Sequence, residues 1–126
     1  MALSNAGRDL IAAAIVGASY TPYNAANAHI GVGDGTGVFL AGQTDLLGAN
    51  QLRKPMEAGF PTQVANLLSF RSLFGTGDAN FDWEEWGVFN GLAGPTTMLN
   101  RKVESLGLKT NSQSWQLTAE LTVEAA

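Results

Sequence analysis

Trp115-Gln-Leu-Thr-Ala-Glu-Leu-Thr-Val-Glu124 alternates apolar and polar residues without a break. Trp115, Leu117, Ala119, Leu121 and Val123 fall on one side of a period-two pattern, and Gln116, Thr118, Glu120, Thr122 and Glu124 on the other. Successive side chains of a strand point to opposite faces, so this pattern demands a strand with one face on a core and one in water. Thr, Val and Trp suit such a strand. The C-terminal segment is therefore a structural element. Both chain ends are expected to be held, by the fold or by neighbours, where free ends normally fray.

The 126 residues make one domain, 1–126, large enough for a real core. Charged residues are 14% of the chain, well below the usual quarter. That leaves neutral surface on which subunits can dock. The basic residues are Arg8, Arg53, Lys54, Arg71, Arg101, Lys102 and Lys109, against a net charge of -4. They form no basic stripe, which argues against nucleic acid as a partner. The chain has no cysteine, so disulfides, thiol chemistry and thiolate metal sites are excluded. The apolar run Leu10–Ala18 and the small-x-small triplet Ala26-Asn27-Ala28 imitate a signal peptide. Asp9 abuts the run, however, and Arg8 is the sole preceding base. The run is also too short to span a bilayer, so no membrane partner is expected.

Ser4 is placed to cap a helix over Asn5–Gly17. Leu3, Gly7, Leu10, Ala14 and Ala18 recur at helical spacing, joined by Ile11 and Ile15. Ala12, Ala13 and Val16 make its second half apolar nearly all round, which predicts burial on more than one side, in its own core or against another subunit. A loop over Tyr20–Asn27 follows. Strands are expected at Ala28–Gly33, at Leu52–Met56 on an edge because of Pro55, and at Val64–Phe74, Phe81–Phe89, Thr97–Val103 and Trp115–Glu124. Gly33, Asp34 and Gly35 belong to a turn that leaves the first strand. Thr44 can cap a single helical turn over Asp45–Leu47. The sum is an α+β fold: one N-terminal helix, then a mostly antiparallel sheet or sandwich of five to six strands.

Residues that could do chemistry have simpler explanations. Gly31-Val-Gly-Asp-Gly-Thr-Gly37 lacks the Lys of a phosphate loop, and no helical pattern follows it. Asp78-Ala-Asn-Phe-Asp82 copies the start of a calcium loop, but Trp83 stands where Gly is needed and Phe89 where Glu is needed. His29 is the single histidine and has no elbow-like serine to serve. No cofactor, metal or small-molecule substrate is expected. Asp82, Glu84 and Glu85 lie among Phe81, Trp83 and Trp86, a grouping found in sugar-binding clefts. Glu84 and Glu85 are adjacent and point to opposite strand faces. Glu85 shares its face with Phe81, Trp83 and Phe89, so its carboxylate needs a partner. Arg71 is the first candidate and Arg101 the second, in a structural ion pair.

Four segments carry a resemblance: Ile30-Gly-Val-Gly-Asp-Gly-Thr-Gly37, Thr44-Asp-Leu46, Glu85-Trp-Gly-Val-Phe-Asn90 and Met98-Leu-Asn-Arg-Lys-Val103. Their order resembles the N-terminal domain of phage tail-collar fibre proteins. It is also similar to small single-domain virion proteins of tailed phages. The resemblance implies a non-enzymatic virion structural protein of the tail or neck, a collar-type or fibre-attachment subunit, assembled in the host cytoplasm. Family members continue into fibre and receptor-binding repeats, so a single domain implies the attachment module. The implied partners are other virion proteins and further copies of the chain, in a symmetric homo-oligomer with three-fold symmetry by analogy. Capsid decoration is the alternative reading, and a carbohydrate-binding or hydrolytic module built on Trp83 and Trp86 a third. The interface is expected at Leu10, Ile11, Ile15, Val16, Tyr20 and Tyr23.

Overall fold

The computed structural model describes residues 3–124. Helix α1 spans Asn5–Ile15, and seven strands follow: β1 His29–Gly33, β2 Gln51–Pro55, β3 Thr62–Val64, β4 Leu67–Phe74, β5 Asp82–Phe89, β6 Met98–Leu108 and β7 Trp115–Thr122. They form one sheet in the order β2-β1-β5-β6 and another in the order β3-β4-β7, antiparallel at every pairing. The fold is α+β with a dominant antiparallel component, two strands richer at the lower expected count. The expectation about the chain ends falls on Met1, Ala2, Ala125 and Ala126, which lie outside the described residues.

One core serves both sheets. Ile30, Val32, Trp83, Trp86, Val88 and Leu99 from the first meet Phe70, Phe74, Ala119 and Leu121 from the second. The alternation of the last strand does what its pattern requires: Ala119 and Leu121 are buried while Gln116 and Glu120 are exposed. Trp83 sits at the centre, edge-on to Phe74 at 4.8 Å and to Trp115 at 5.0 Å. Its indole N–H donates to the Ala79 carbonyl, which satisfies the polar tip of a buried ring.

The two sheets are stitched along one side and open along the other. Ser72 Oγ on β4 donates to the Lys54 carbonyl on β2 at 3.1 Å, and the Glu57 N–H donates to the Arg71 carbonyl at 2.8 Å. On the opposite side β6 and β7 are both edge strands. Cavities line the seam between them. One of about 550 Å³ lies between Asn100–Val103 and Glu120–Leu121, and a smaller one between Leu106 and Trp115–Leu117.

Four local expectations need correction. The helix stops at Ile15, with Val16 as its cap and Gly17 at φ +74. It is not buried on more than one side of its own subunit: Ile15 is 80% exposed, Val16 78%, and Gly7 is its one buried residue. The strand expected over Val64–Phe74 is a hairpin, β3 and β4, because Ala65 takes the left-handed conformation (φ 52) that hairpin turns use. Thr44 caps nothing, since Asp45–Leu47 is irregular and Leu46 N–H instead meets the Asp45 carboxylate. Ser4 does cap α1: its Oγ accepts the Gly7 N–H at 2.9 Å.

Candidate functional site

The outer face of the first sheet carries a buried carboxylate. A register shift between Trp83 and Glu85, where Glu84 alone stands opposite Glu104, Ser105 and Leu106 of β6, interrupts the alternation of β5. Trp83 therefore turns into the core. Glu85 lies on the other face, on the side of Phe89, which clusters with Leu46 and Met98. The expectation that Glu85 shares a face with both Trp83 and Phe89 is corrected on this point.

Glu85 is fully buried and accepts four hydrogen bonds. Gly35 N–H at 2.8 Å and Gly48 N–H at 2.7 Å reach Oε2. Leu47 N–H at 2.9 Å and Arg101 Nε at 2.7 Å reach Oε1. Burial pushes this carboxyl up, but the Leu47 N–H, the Arg101 guanidinium and the Gly48 and Gly35 N–H groups outweigh it and hold it below the usual carboxylate range. A buried charge survives only when paired and hydrogen-bonded, and here each carboxylate oxygen has two donors.

Glu85 pairs with Arg101 and not with Arg71. β4 belongs to the other sheet, where Arg71 stacks over Phe60 at 4.5 Å and donates to Thr118 Oγ1. Arg101 sits across β5 from Gly87, two residues from Glu85 on the same face. A second nitrogen, Nη1, donates to the Gly37 carbonyl and to Gln43. Arg101 Nη2 and Asn100 Nδ2 are buried and have no partner among the described residues.

The turn Gly33-Asp34-Gly35 is shaped by this carboxylate. A methyl group on Gly33 would come within 2.5 Å of Glu85 Oε2, and one on Gly35 would collide with the same atom. Both positions need the close approach that glycine allows. Asp34 holds the far side of the loop by accepting from the N–H and side chain of Asn50, which lowers its carboxyl. The segment over residues 34–50 is thus pinned near both ends to Glu85 and between them to Arg101.

Other candidates resolve differently. Asp78 pairs with Lys54 at 3.1 Å, and Lys109 Nζ donates to Asn80 Oδ1 and the Gly75 carbonyl, so ammonium groups already hold the oxygens of the calcium-like loop. His29 is buried with Nδ1 2.8 Å from the Asn27 carbonyl. Trp83 and Trp86 are both core residues, and Trp86 borders the cavity between β6 and β7. Their burial weighs against a sugar cleft built on them.

Beside α1 an apolar cavity of about 440 Å³ opens, lined by Leu10, Ile11, Tyr20, Tyr23, Leu68 and Phe70 among others. Four of the six expected interface residues line it. Ile15 and Val16 stand out from its rim into solvent. Tyr23 anchors one wall by donating to the Thr97 carbonyl at 2.7 Å, and burial raises its phenol pKa. No family model, curated protein or solved structure matches this chain.

Proposed function

We propose that the chain is a non-enzymatic virion structural subunit of a tailed phage, placed in the tail or neck as a collar-type or fibre-attachment protein. One observation carries the reading. The four separated segments that resemble collar-fibre domains meet at one carboxylate: Gly35 from the first, Leu47 and Gly48 next to the second, Glu85 from the third and Arg101 from the fourth. Residues that share a lock of this kind specify an architecture. The apolar groove beside α1, with Ile15 and Val16 bare at its rim, adds a surface for docking. The reading includes self-association into a symmetric homo-oligomer or many-copy lattice, three-fold by the same resemblance.

A protein inventory and density map of purified particles tests this. Density for the chain at the tail or neck is the expected result. Density spread over the shell would favour capsid decoration instead, and absence from every particle fraction would overturn the proposal.

A further inference from the structure

The free edge of β7 fits a second copy of itself. We infer that two copies pair through β7 in antiparallel register, about a two-fold axis, to give one continuous six-stranded sheet. This rests on the reading of the chain as a self-associating subunit and names the contact.

The first step is the phase of the ladder. Glu57 N–H takes the Arg71 carbonyl, so the main chain of Arg71 faces away from β7. Arg71 lies opposite Thr118, so the Thr118 N–H and C=O also face outward. By alternation the same holds for Gln116, Glu120 and Thr122. Val123, of opposite parity, donates inward to the Asn66 carbonyl, as that phase requires. Among the described residues nothing bonds to the outward main-chain groups of these four positions.

The second step is the lack of any guard. Exposed edges are normally blunted by brevity, proline, lysine or a bulge. β2 is five residues long, carries Arg53 and Lys54 and ends in Pro55; β3 is three residues long. β6 carries Lys102, loses register against β5 beyond Val103, and is covered near Leu99 by Ser4. β7 pairs regularly over all eight residues and has no proline, lysine or register shift. Free N–H and C=O groups in this spacing are complementary only to another extended chain.

The third step is self-complementarity. Pairing Gln116 with the partner's Thr122, and Thr118 with the partner's Glu120, matches every outward residue to another and makes about eight main-chain hydrogen bonds, two per narrow pair. No like charges face each other. A shift that centres the axis on Glu120 would oppose two carboxylates, which is unfavourable. A partner strand here also flanks the 550 Å³ cavity that Glu120 and Leu121 line. A two-fold contact coexists with three-fold contacts elsewhere in a dihedral particle.

The chain has no cysteine, so crosslinking is free of background. The double variant Gln116→Cys/Thr122→Cys is expected to give a covalent dimer on oxidation, and Thr118→Cys alone none. Glu120→Pro removes an outward N–H and leaves the β4 ladder whole. It is expected to shift the mass in light scattering from an even-numbered oligomer to a species of half that size, with melting unchanged when both are diluted. Glu120→Lys, a guard that cannot disturb the fold from an exposed position, should weaken pairing in the same direction. A monomeric parent at high concentration, or parent-like mass in both Glu120 variants, would sink the contact. Crosslinking through Thr118→Cys in place of the double variant would sink the register. A dimer that forms while the chain is missing from particles would leave this contact standing and remove the proposed function.

Discussion

The segment over residues 34–50 and helix α1 both pack on the first sheet, and they are fastened in opposite ways. The segment is held by directional bonds: three of its N–H groups reach the Glu85 carboxylate, and Arg101 donates to Gly37 and Gln43. The helix is held by Ser4 at its start and by apolar contact along an incompletely filled groove, and its last turn leaves Ile15 and Val16 bare. Directional fastening fixes one geometry and tolerates little change. Apolar fastening is forgiving and leaves room for a partner. The first region is where this fold is specified, and the second is where we propose that it is joined.

Breaking the carboxylate tests the first half of that contrast most severely. Glu85→Gln keeps the shape but cannot accept from four donors and leaves Arg101 buried without its counter-charge. Loss of one partner of a buried pair costs about 3–5 kcal/mol. Urea unfolding should show that loss, and a variant as stable as the parent would mean that the segment is held by something else. Gly35→Ala is the next largest. Its methyl must displace Glu85 Oε2, and overpacking of this kind costs about 1–3 kcal/mol. Retained stability at this position would show that the turn can yield.

Acid gives a graded version of the same test. The folded carboxyl of Glu85 lies below its ordinary value of 4.5. Its stabilisation is therefore fully present above that value and is lost as pH falls through the folded pKa. Melting temperature should decline on acidification below about pH 4.5, and less steeply in Glu85→Gln. Equal slopes for the two proteins would assign acid sensitivity to other carboxylates, Asp34 and Asp78 among them. The smallest effect on stability belongs to the helix rim. Ile15→Lys should change unfolding free energy by less than about 0.5 kcal/mol, as at other exposed sites. It should still reduce association if the groove is a docking surface, and an unchanged particle mass would argue that it is not.

How much of this was legible depended on whether a residue's neighbours were local. The Trp115–Thr122 alternation and the Ser4 cap are complete within a few residues, and both read correctly. The β3–β4 turn was hidden because Ala65, rather than glycine, takes the left-handed position. The register shift between Trp83 and Glu85 leaves no mark in composition, so the pattern alone puts Trp83 on the wrong face. The need of Glu85 for a partner could be read from its aromatic surroundings. Which arginine answers it depends on strand order, and Arg71 and Arg101 look alike until the two sheets are separated. The three backbone donors were invisible, because main-chain N–H groups have no sequence signature. The apolar circumference of α1 was legible as a pattern, but it describes a helix with an uncovered end as well as one that is buried.

Ser4 has a mechanical consequence. Its N–H donates to the Leu99 carbonyl, its Oγ donates to the Met98 carbonyl, and the same Oγ caps α1. One buried residue therefore couples the entry of the chain, the helix axis and β6. A pull on the N-terminal side reaches β6 before it reaches the helix. Two residues further along β6, Arg101 passes the load to Glu85 and so to the whole segment over 34–50. Tension applied at one end of the subunit is thereby shared with its most tightly bonded cluster, a load path suited to a part that must hold while something tugs on it.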